Sequence, residues 1–321
     1  MNARSALASA LLFGMLLNSA TGLSASPAAT SCAKLGWFPT SYGLKDHSVF
    51  TVGNVYYLVS NRVPAENLFV YARTLDMCAW ETLSPVLPIR IPNTWDSYTV
   101  WSPFVYAENG TYYLFYTGVT ATTTQSIMLS QSSNPADSSS WQTGTLMLQP
   151  AHASMLWQNG QWADCRDPMV IKVGDTYFLY YTGLDQMGGI VGVATSSSIT
   201  GPWYDWGAIL TLRTLGAMPE SPSVTTYDGI YYLFYNKSSA LGANEQYVTG
   251  PGPTGPWSSP LPLTPGWGNE FWRGLDNMPY TSYLTRYSVT ISRLTWDTLF
   301  WPAHPFIGAS VLHTWLPSIS R

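Results

Sequence analysis

The stretch Arg166-Asp167-Pro168-Met169-Val170 runs on as Ile171-Lys172-Val173-Gly174-Asp175-Thr176-Tyr177-Phe178-Leu179-Tyr180-Tyr181. It reads as a strand that opens on an acid, a two-residue turn, and an aromatic partner strand. The pattern occurs three more times. Asp46-His47-Ser48-Val49 leads to Gly53-Asn54 and Tyr56-Tyr57-Leu58. Ser102-Pro103-Phe104-Val105 leads to Asn109-Gly110 and Tyr112-Tyr113-Leu114, and Ser221-Pro222-Ser223-Val224 to Asp228-Gly229 and Tyr231-Tyr232-Leu233. The second aromatic keeps one offset from the first residue in each copy: 46 to 57, 102 to 113, 167 to 178, 221 to 232. Such self-similarity is the mark of a repeat architecture.

Outward from the hairpins the repeat continues. Two-residue Gly, Asn and Asp turns between β-rich runs signal tight hairpins, because these turns need positive φ. A third strand is expected at 69–72, 127–130, 190–194 and 246–248. A Trp then opens an outer strand in each copy: Trp80, Trp141, Trp203 and Trp257, at intervals of 61, 62 and 54 residues. Each unit therefore holds about four strands. A fifth, degenerate unit is expected after residue 268. Its inner strand would be 270–275, its second 280–284, its third 287–291, and its outer strand would open at 294–296. No helical periodicity of useful length appears outside the first 25 residues. An all-β chain of five four-stranded antiparallel blades is a five-bladed β-propeller. A β-sandwich would not repeat a turn and a Trp at these intervals.

Charged residues make up 10% of the 321 positions, against about 25% in ordinary domains. The net charge is -4 with no basic run, which argues against a nucleic-acid partner. The 15 Trp and 21 Tyr suit a neutral polar ligand such as a sugar, whose C–H faces lie on aromatic rings. Residues 1–25 read as a secretory signal peptide: Arg4, an apolar run over 6–17, and small residues up to Ser24-Ala25. That run is well short of the roughly 20 residues a membrane span needs. Residues 26–40 read as a tether and 41–321 as the propeller. A secreted or periplasmic monomer with no membrane contact after cleavage is expected. Of the three cysteines, Cys32 and Cys78 are the expected pair, and Cys165 is expected to be buried rather than reactive.

The first strand of each blade lines the channel of a propeller, so equivalent residues converge at one mouth. Here these are Asp46, Ser102, Asp167 and Ser221, with Glu220 one residue earlier. Three carboxylates from three blades would share a pocket in a chain poor in acids. Converging like charges push at least one pKa upward, as a general acid near neutrality requires. A carboxylate pair across a scissile bond is the machinery of glycoside hydrolysis.

These phrases resemble the five-bladed propeller glycosidases, glycoside hydrolase family 43 and its relatives in families 32, 62 and 68. Asp46 matches that group's blade-one Asp, although His47 stands where Pro often follows. Asp167-Pro168 matches its blade-three Asp-Pro, Glu220-Ser221-Pro222 its Glu-x-Pro, and Trp101-Ser102-Pro103 resembles its Trp-Ala-Pro. The resemblance implies Asp46 as general base, Glu220 as general acid, and Asp167 as the residue that orients Glu220. Arg166-Asp167-Pro168 is also similar to the Arg-Asp-Pro of the fructose-processing relatives. Lys45-Asp46-His47 lacks the Asn and Pro of their nucleophile phrase.

Four further residues are candidate substrate ligands: Trp101, Arg166, Trp272 and Arg273. Trp101 could stack on a sugar or fill a blade interface; Arg273 could bind a hydroxyl or pair with a channel carboxylate. Some relatives hold a central ion or water through a blade-five His, and 268–290 contains none, so no protein-ligated metal and no cofactor are expected. There is no zinc-type Cys/His cluster and no nucleophile-elbow phrase. The function expected is hydrolysis of arabinose- or xylose-containing oligo- or polysaccharide with inversion. The alternatives are a retaining fructan- or sucrose-active enzyme and a propeller that binds glycans without cleaving them.

Overall fold

The computed structural model describes residues 34–87, 90–239, 242–264, 266–299 and 302–307. The expected signal peptide and Cys32 lie outside the described residues. The first strand among the described residues is β1 (Gly36–Trp37). Blade one follows as β2 (Gly43–Val52), β3 (Val55–Val63), β4 (Phe69–Thr74) and β5 (Glu81–Val86). Blade two is β6 (Thr99–Glu108), β7 (Thr111–Val119), β8 (Gln125–Ser132) and β9 (Thr145–Leu148). Blade three is β10 (Cys165–Val173), β11 (Thr176–Asp185), β12 (Gly188–Ser196) and β13 (Tyr204–Leu212). Blade four is β14 (Met218–Tyr227), β15 (Ile230–Ser239), β16 (Gly242–Gly250) and β17 (Leu261–Pro262). Blade five is β18 (Trp267–Arg273), β19 (Pro279–Thr285), β20 (Ser288–Asp297) and β21 (His304–Ile307). Within every blade the strands pair antiparallel in chain order, and the inner strands touch in the cyclic order β2, β6, β10, β14, β18, β2. The fold is a five-bladed β-propeller.

The inner hairpins turn where the sequence places them. Asn109-Gly110 and Asp228-Gly229 have positive φ at both positions, the requirement of a type I′ turn. In Gly53-Asn54 and Gly174-Asp175 only the glycine is left-handed. The second strand of each blade is apolar at consecutive positions because both of its faces are buried. Tyr56 and Leu58 point toward blade five, whereas Tyr57 and Val59 point toward blade two. Phe115 packs toward blade three, and Leu114 and Tyr116 toward blade one. This is the two-residue period of a strand used on both sides. Among the described residues the buried apolar side chains gather into five clusters, one at each blade junction. Buried tyrosines add directional links between blades: Tyr71 donates to Pro135 O at 2.7 Å, Tyr180 to Pro253 O at 2.8 Å, and Tyr232 to Ala303 O at 2.8 Å.

Blade five departs from the sequence reading: its inner strand spans Trp267–Arg273 where 270–275 is expected, and its outer edge is built differently. Residues 294–296 continue the third strand, β20, and do not open the outer one. The outer edge is instead shared by β21, paired along Leu294 to Asp297, and β1, paired at Val289 and Thr290. The segment read as a tether therefore contains a strand. Trp37 is buried and stacks on Trp80 at 6.2 Å, and Gly36 N donates to Met77 O at 3.0 Å, so β1 fastens blade five to blade one. Cys165 is free and buried, and Cys78 is disulfide-bonded.

Candidate active site

A bulge in every inner strand builds the site. The pairing slips between Lys45 and His47, Trp101 and Phe104, Arg166 and Met169, Glu220 and Ser223, and Trp267 and Glu270. The bulged residues Asp46, Ser102, Asp167, Ser221 and Gly268 all have left-handed φ, from 44° to 63°. Such bulges re-aim side chains beside active sites. These five residues line a narrow central channel cavity of about 40 Å³, room for ordered water. Beside it opens a pocket of about 310 Å³, lined by Asp46, Ser102, Asp167 and Ser221 and by the residue before each of the five bulges: Lys45, Trp101, Arg166, Glu220 and Trp267.

A bulge frees a backbone N–H, which must find a partner when buried. Here the preceding blade supplies it. Ser102 N donates to Asn61 Oδ1 at 2.8 Å, Asp167 N to Thr117 Oγ1 at 3.0 Å, and Ser221 N to Asp167 Oδ2 at 2.9 Å. Thr182 Oγ1 donates to the same Asp167 oxygen at 3.0 Å. Sequence reasoning missed these supports, although a signal existed. A polar residue follows the register point by a constant offset: 46 to Asn61, 102 to Thr117, 167 to Thr182, 221 to Asn236.

The three expected carboxylates meet in this pocket. Asp46 and Asp167 are joined by the Ser102 hydroxyl, which lies 3.0 Å from Asp46 Oδ2 and 2.6 Å from Asp167 Oδ1. One hydroxyl proton serves two carboxylates, so the three groups act together. Burial pushes Asp46 up to about 6; Lys45 opposes the shift, Asp167 adds to it, and the Ser102 hydrogen bond moderates it. Asp46 is thus mostly ionised at neutral pH yet close enough to exchange a proton. Arg166 is buried with four acceptors around it. It donates to Glu220 Oε1 at 2.9 Å, to Gln125 Oε1 at 3.3 Å and to Asp164, and its Nε lies 3.7 Å from Asp167 Oδ2. Burial opposes its charge, but the carboxylates of Asp167, Asp164 and Glu220 outweigh that and hold its pKa above the usual value. Asp167 is thus linked to Glu220 twice, through the amide of the adjacent Ser221 and through Arg166.

The candidate substrate ligands divide. Trp101 lines the pocket, with its ring 6.4 Å from that of Trp162 and Lys45 Nζ 5.5 Å from its centroid. Arg166 lines the pocket as well, but its guanidinium is committed to carboxylates and not left free for sugar. Trp272 and Arg273 lie elsewhere, in a separate cavity toward the hairpin end of β18. Trp272 stacks on Tyr280 at 5.0 Å and donates to Ser282 Oγ at 3.2 Å; Arg273 donates to Asn277 O at 2.7 Å. The misplacement has a simple cause. The register residue of blade five is Gly268, which carries no side chain to announce it, so the strand begins earlier than it reads. Trp267 is the pocket residue of that blade, and Trp162, reaching in from the segment before β10, is a second aromatic wall that the repeat does not encode.

Two other acids are buried nearby. Glu270 lines the channel cavity, and burial holds its carboxyl well above the ordinary range. Glu245 on β16 is buried beside Gly268 and Asn269, and burial pushes it up to about 8.

Carboxylates converging in a tryptophan-walled pocket are the arrangement that glycoside hydrolysis uses. The comparison with known families agrees. Residues 54–249 match the family described as "Glycosyl hydrolases family 32 N-terminal domain", and the chain belongs to that family. Its fold is shared with a thermostable family-43 glycoside hydrolase (TM-score 0.62, 18% identity, 84% of this chain and 94% of that one). It is shared too with an alpha-L-arabinanase mutant from Cellvibrio cellulosa (TM-score 0.64, 15% identity, 83% of this chain and 95% of that one). In sequence, 94 residues are 39% identical to the "Probable arabinan endo-1,5-alpha-L-arabinosidase C" of Aspergillus niger. That match spans 27% of this chain and 27% of the relative. Family and fold together place the chain among the glycosyl hydrolases.

Proposed function

We propose that this glycoside hydrolase is exported and cleaves arabinose-containing oligo- or polysaccharide with inversion of the anomeric centre. The observation that carries the reading is the meeting of Asp46, Asp167 and Glu220, from blades one, three and four, in one tryptophan-lined pocket. Asp46 activates the attacking water, Glu220 protonates the leaving oxygen, and Asp167 positions Glu220 through Ser221 N and Arg166. Blades one and four are not neighbours in a ring of five, which favours a gap wide enough for water between base and sugar, as inversion requires. The arabinanase names of the Cellvibrio and Aspergillus proteins support arabinose over xylose as the sugar released. Export rests on the N-terminal sequence.

The family-32 match favours a second reading, a retaining fructan- or sucrose-active enzyme with Asp46 as nucleophile. Against it, Lys45-Asp46-His47 lacks the Asn and Pro of that nucleophile phrase. Release of arabinose, xylose and fructose from aryl glycosides and polysaccharides, with Glu220→Gln as control, tests both. Arabinose release that the variant loses is the expected result. Fructose release without arabinose replaces the first reading by the second.

A further inference from the structure

Between blades one and five, on the same face as the catalytic pocket, lies a larger cavity of about 750 Å³. It shares two wall residues, Lys45 and Trp267, with that pocket, so the two cavities adjoin. Its outer wall is the turn between β19 and β20, Arg286-Tyr287. Both turn residues are left-handed, with φ of 48° and 63°. This is the type I′ pattern, which favours Asn-Gly and strains larger residues. In the inner hairpins of blades one to four the chain uses Gly, Asn or Asp at such positions. Here it accepts strain to set a guanidinium and an aromatic ring on the rim. Tyr287 is 68% exposed and Trp267 39% exposed, so both rings offer a face to solvent. The turn is also pinned across the junction, since Leu44 N donates to Tyr287 O at 2.7 Å.

We infer that this cavity binds the continuing chain of a polymeric substrate, a neutral oligosaccharide of a few residues running from the catalytic pocket past Trp267 to Tyr287. The volume falls in the range that encloses a ligand of that size. Aromatic faces and a forked donor at the wall suit sugar rings and hydroxyls. The inference rests on the glycoside hydrolase reading and adds to it that the enzyme prefers long substrates to short ones.

The decisive variant is Arg286→Asn combined with Tyr287→Gly. It relieves the turn, so the thermal midpoint should hold or rise, while KM for linear arabinan should rise about ten-fold through loss of one stacking face. Activity on an aryl arabinoside, which fills only the catalytic pocket, should stay within about two-fold of wild type, because neither turn residue lines that pocket. Tyr287→Phe, which keeps the ring, should retain the low KM. An unchanged KM for arabinan in the double variant overturns the inference, and so does an equal loss on both substrates. If the wild-type chain hydrolyses neither, the function reading fails instead. Calorimetric binding of arabino-oligosaccharides of increasing length then decides the inference: affinity must grow with length in the wild type and stop growing in the double variant.

Discussion

Lys45→Met isolates the electrostatics of the proposed base. Burial raises Asp46 to about 6, and Lys45 is the largest influence holding it down. Methionine keeps an unbranched side chain over the Trp101 ring while removing the charge. An opposite charge at close range is worth about 1–3 pKa units. Lys45 also pairs with Glu66 at 3.2 Å, so its charge is divided and the lower end of that range applies. A shift of about one unit lowers the ionised fraction of Asp46 at pH 6 from about one half to about one tenth, a five-fold loss of kcat/KM. At pH 8 the same shift costs only about a tenth of the activity, because both forms are then mostly ionised. The assay is kcat/KM against pH on an uncharged aryl glycoside, and the readout is the position of the acid limb, not its height. A limb that stays in place or moves to lower pH refutes the argument. A uniform loss at every pH also counts against it, since that would make Lys45 a substrate contact only.

Glu220→Gln should lose about 10²- to 10⁴-fold on natural linkages and far less on aryl glycosides with good leaving groups, which need little protonation; equal losses on both would mean the acid is misassigned. Asp46→Asn should impair both substrates alike, because water activation is needed in either case. Proton NMR in the first minutes of hydrolysis should show the product anomer inverted; a retained anomer makes Asp46 the nucleophile and installs the second reading. His47 is buried, and burial pushes it down to about 3. The unfolded chain protonates it below about 6.5 while the folded chain does not, so its stabilising contribution is whole above that pH and is lost as pH falls toward 3. Between pH 6.5 and 5 this amounts to about 2 kcal/mol. His47→Gln should therefore reduce the drop in unfolding free energy between pH 7 and pH 5 by that amount in urea titrations, and an undiminished drop would rule out the buried neutral imidazole.

Blades one to four were legible because their physics is local. A two-residue turn must be Gly, Asn or Asp-rich, and a doubly buried strand must be aromatic or aliphatic, so both recur at fixed offsets. The register acids Asp46 and Asp167 and the neighbouring Glu220 could be read for the same reason. Blade five was obscured where tertiary contacts replace local rules. Gly268 marks its bulge without a side chain, Arg286-Tyr287 makes its turn from residues that no turn preference would choose, and its outer edge is completed by β1 from the far end of the sequence. Trp162 and Trp267 were missed as pocket walls because neither carries a recurring neighbour phrase. Arg166 was found, but its commitment to Asp164, Asp167 and Glu220 depends on distances that only the folded chain defines.

The seating of β1 on β20 sets an order of events for a chain made from its N-terminus. Gly36 and Trp37 emerge among the first described residues, yet their partners Thr290 and Val289 are among the last. Four blades can form while the ring is still open, and the circle closes only after β20 has been made. Each doubling of the intervening loop adds just about 0.6 kcal/mol to the entropy of closure, so the barrier is one of waiting more than of energy. Until β1 docks, Val289 and Thr290 present an unpaired strand edge that the N-terminal segment of another copy could occupy as well as their own. Whatever delays the return of β1 would therefore favour chains linked head to tail over closed single rings.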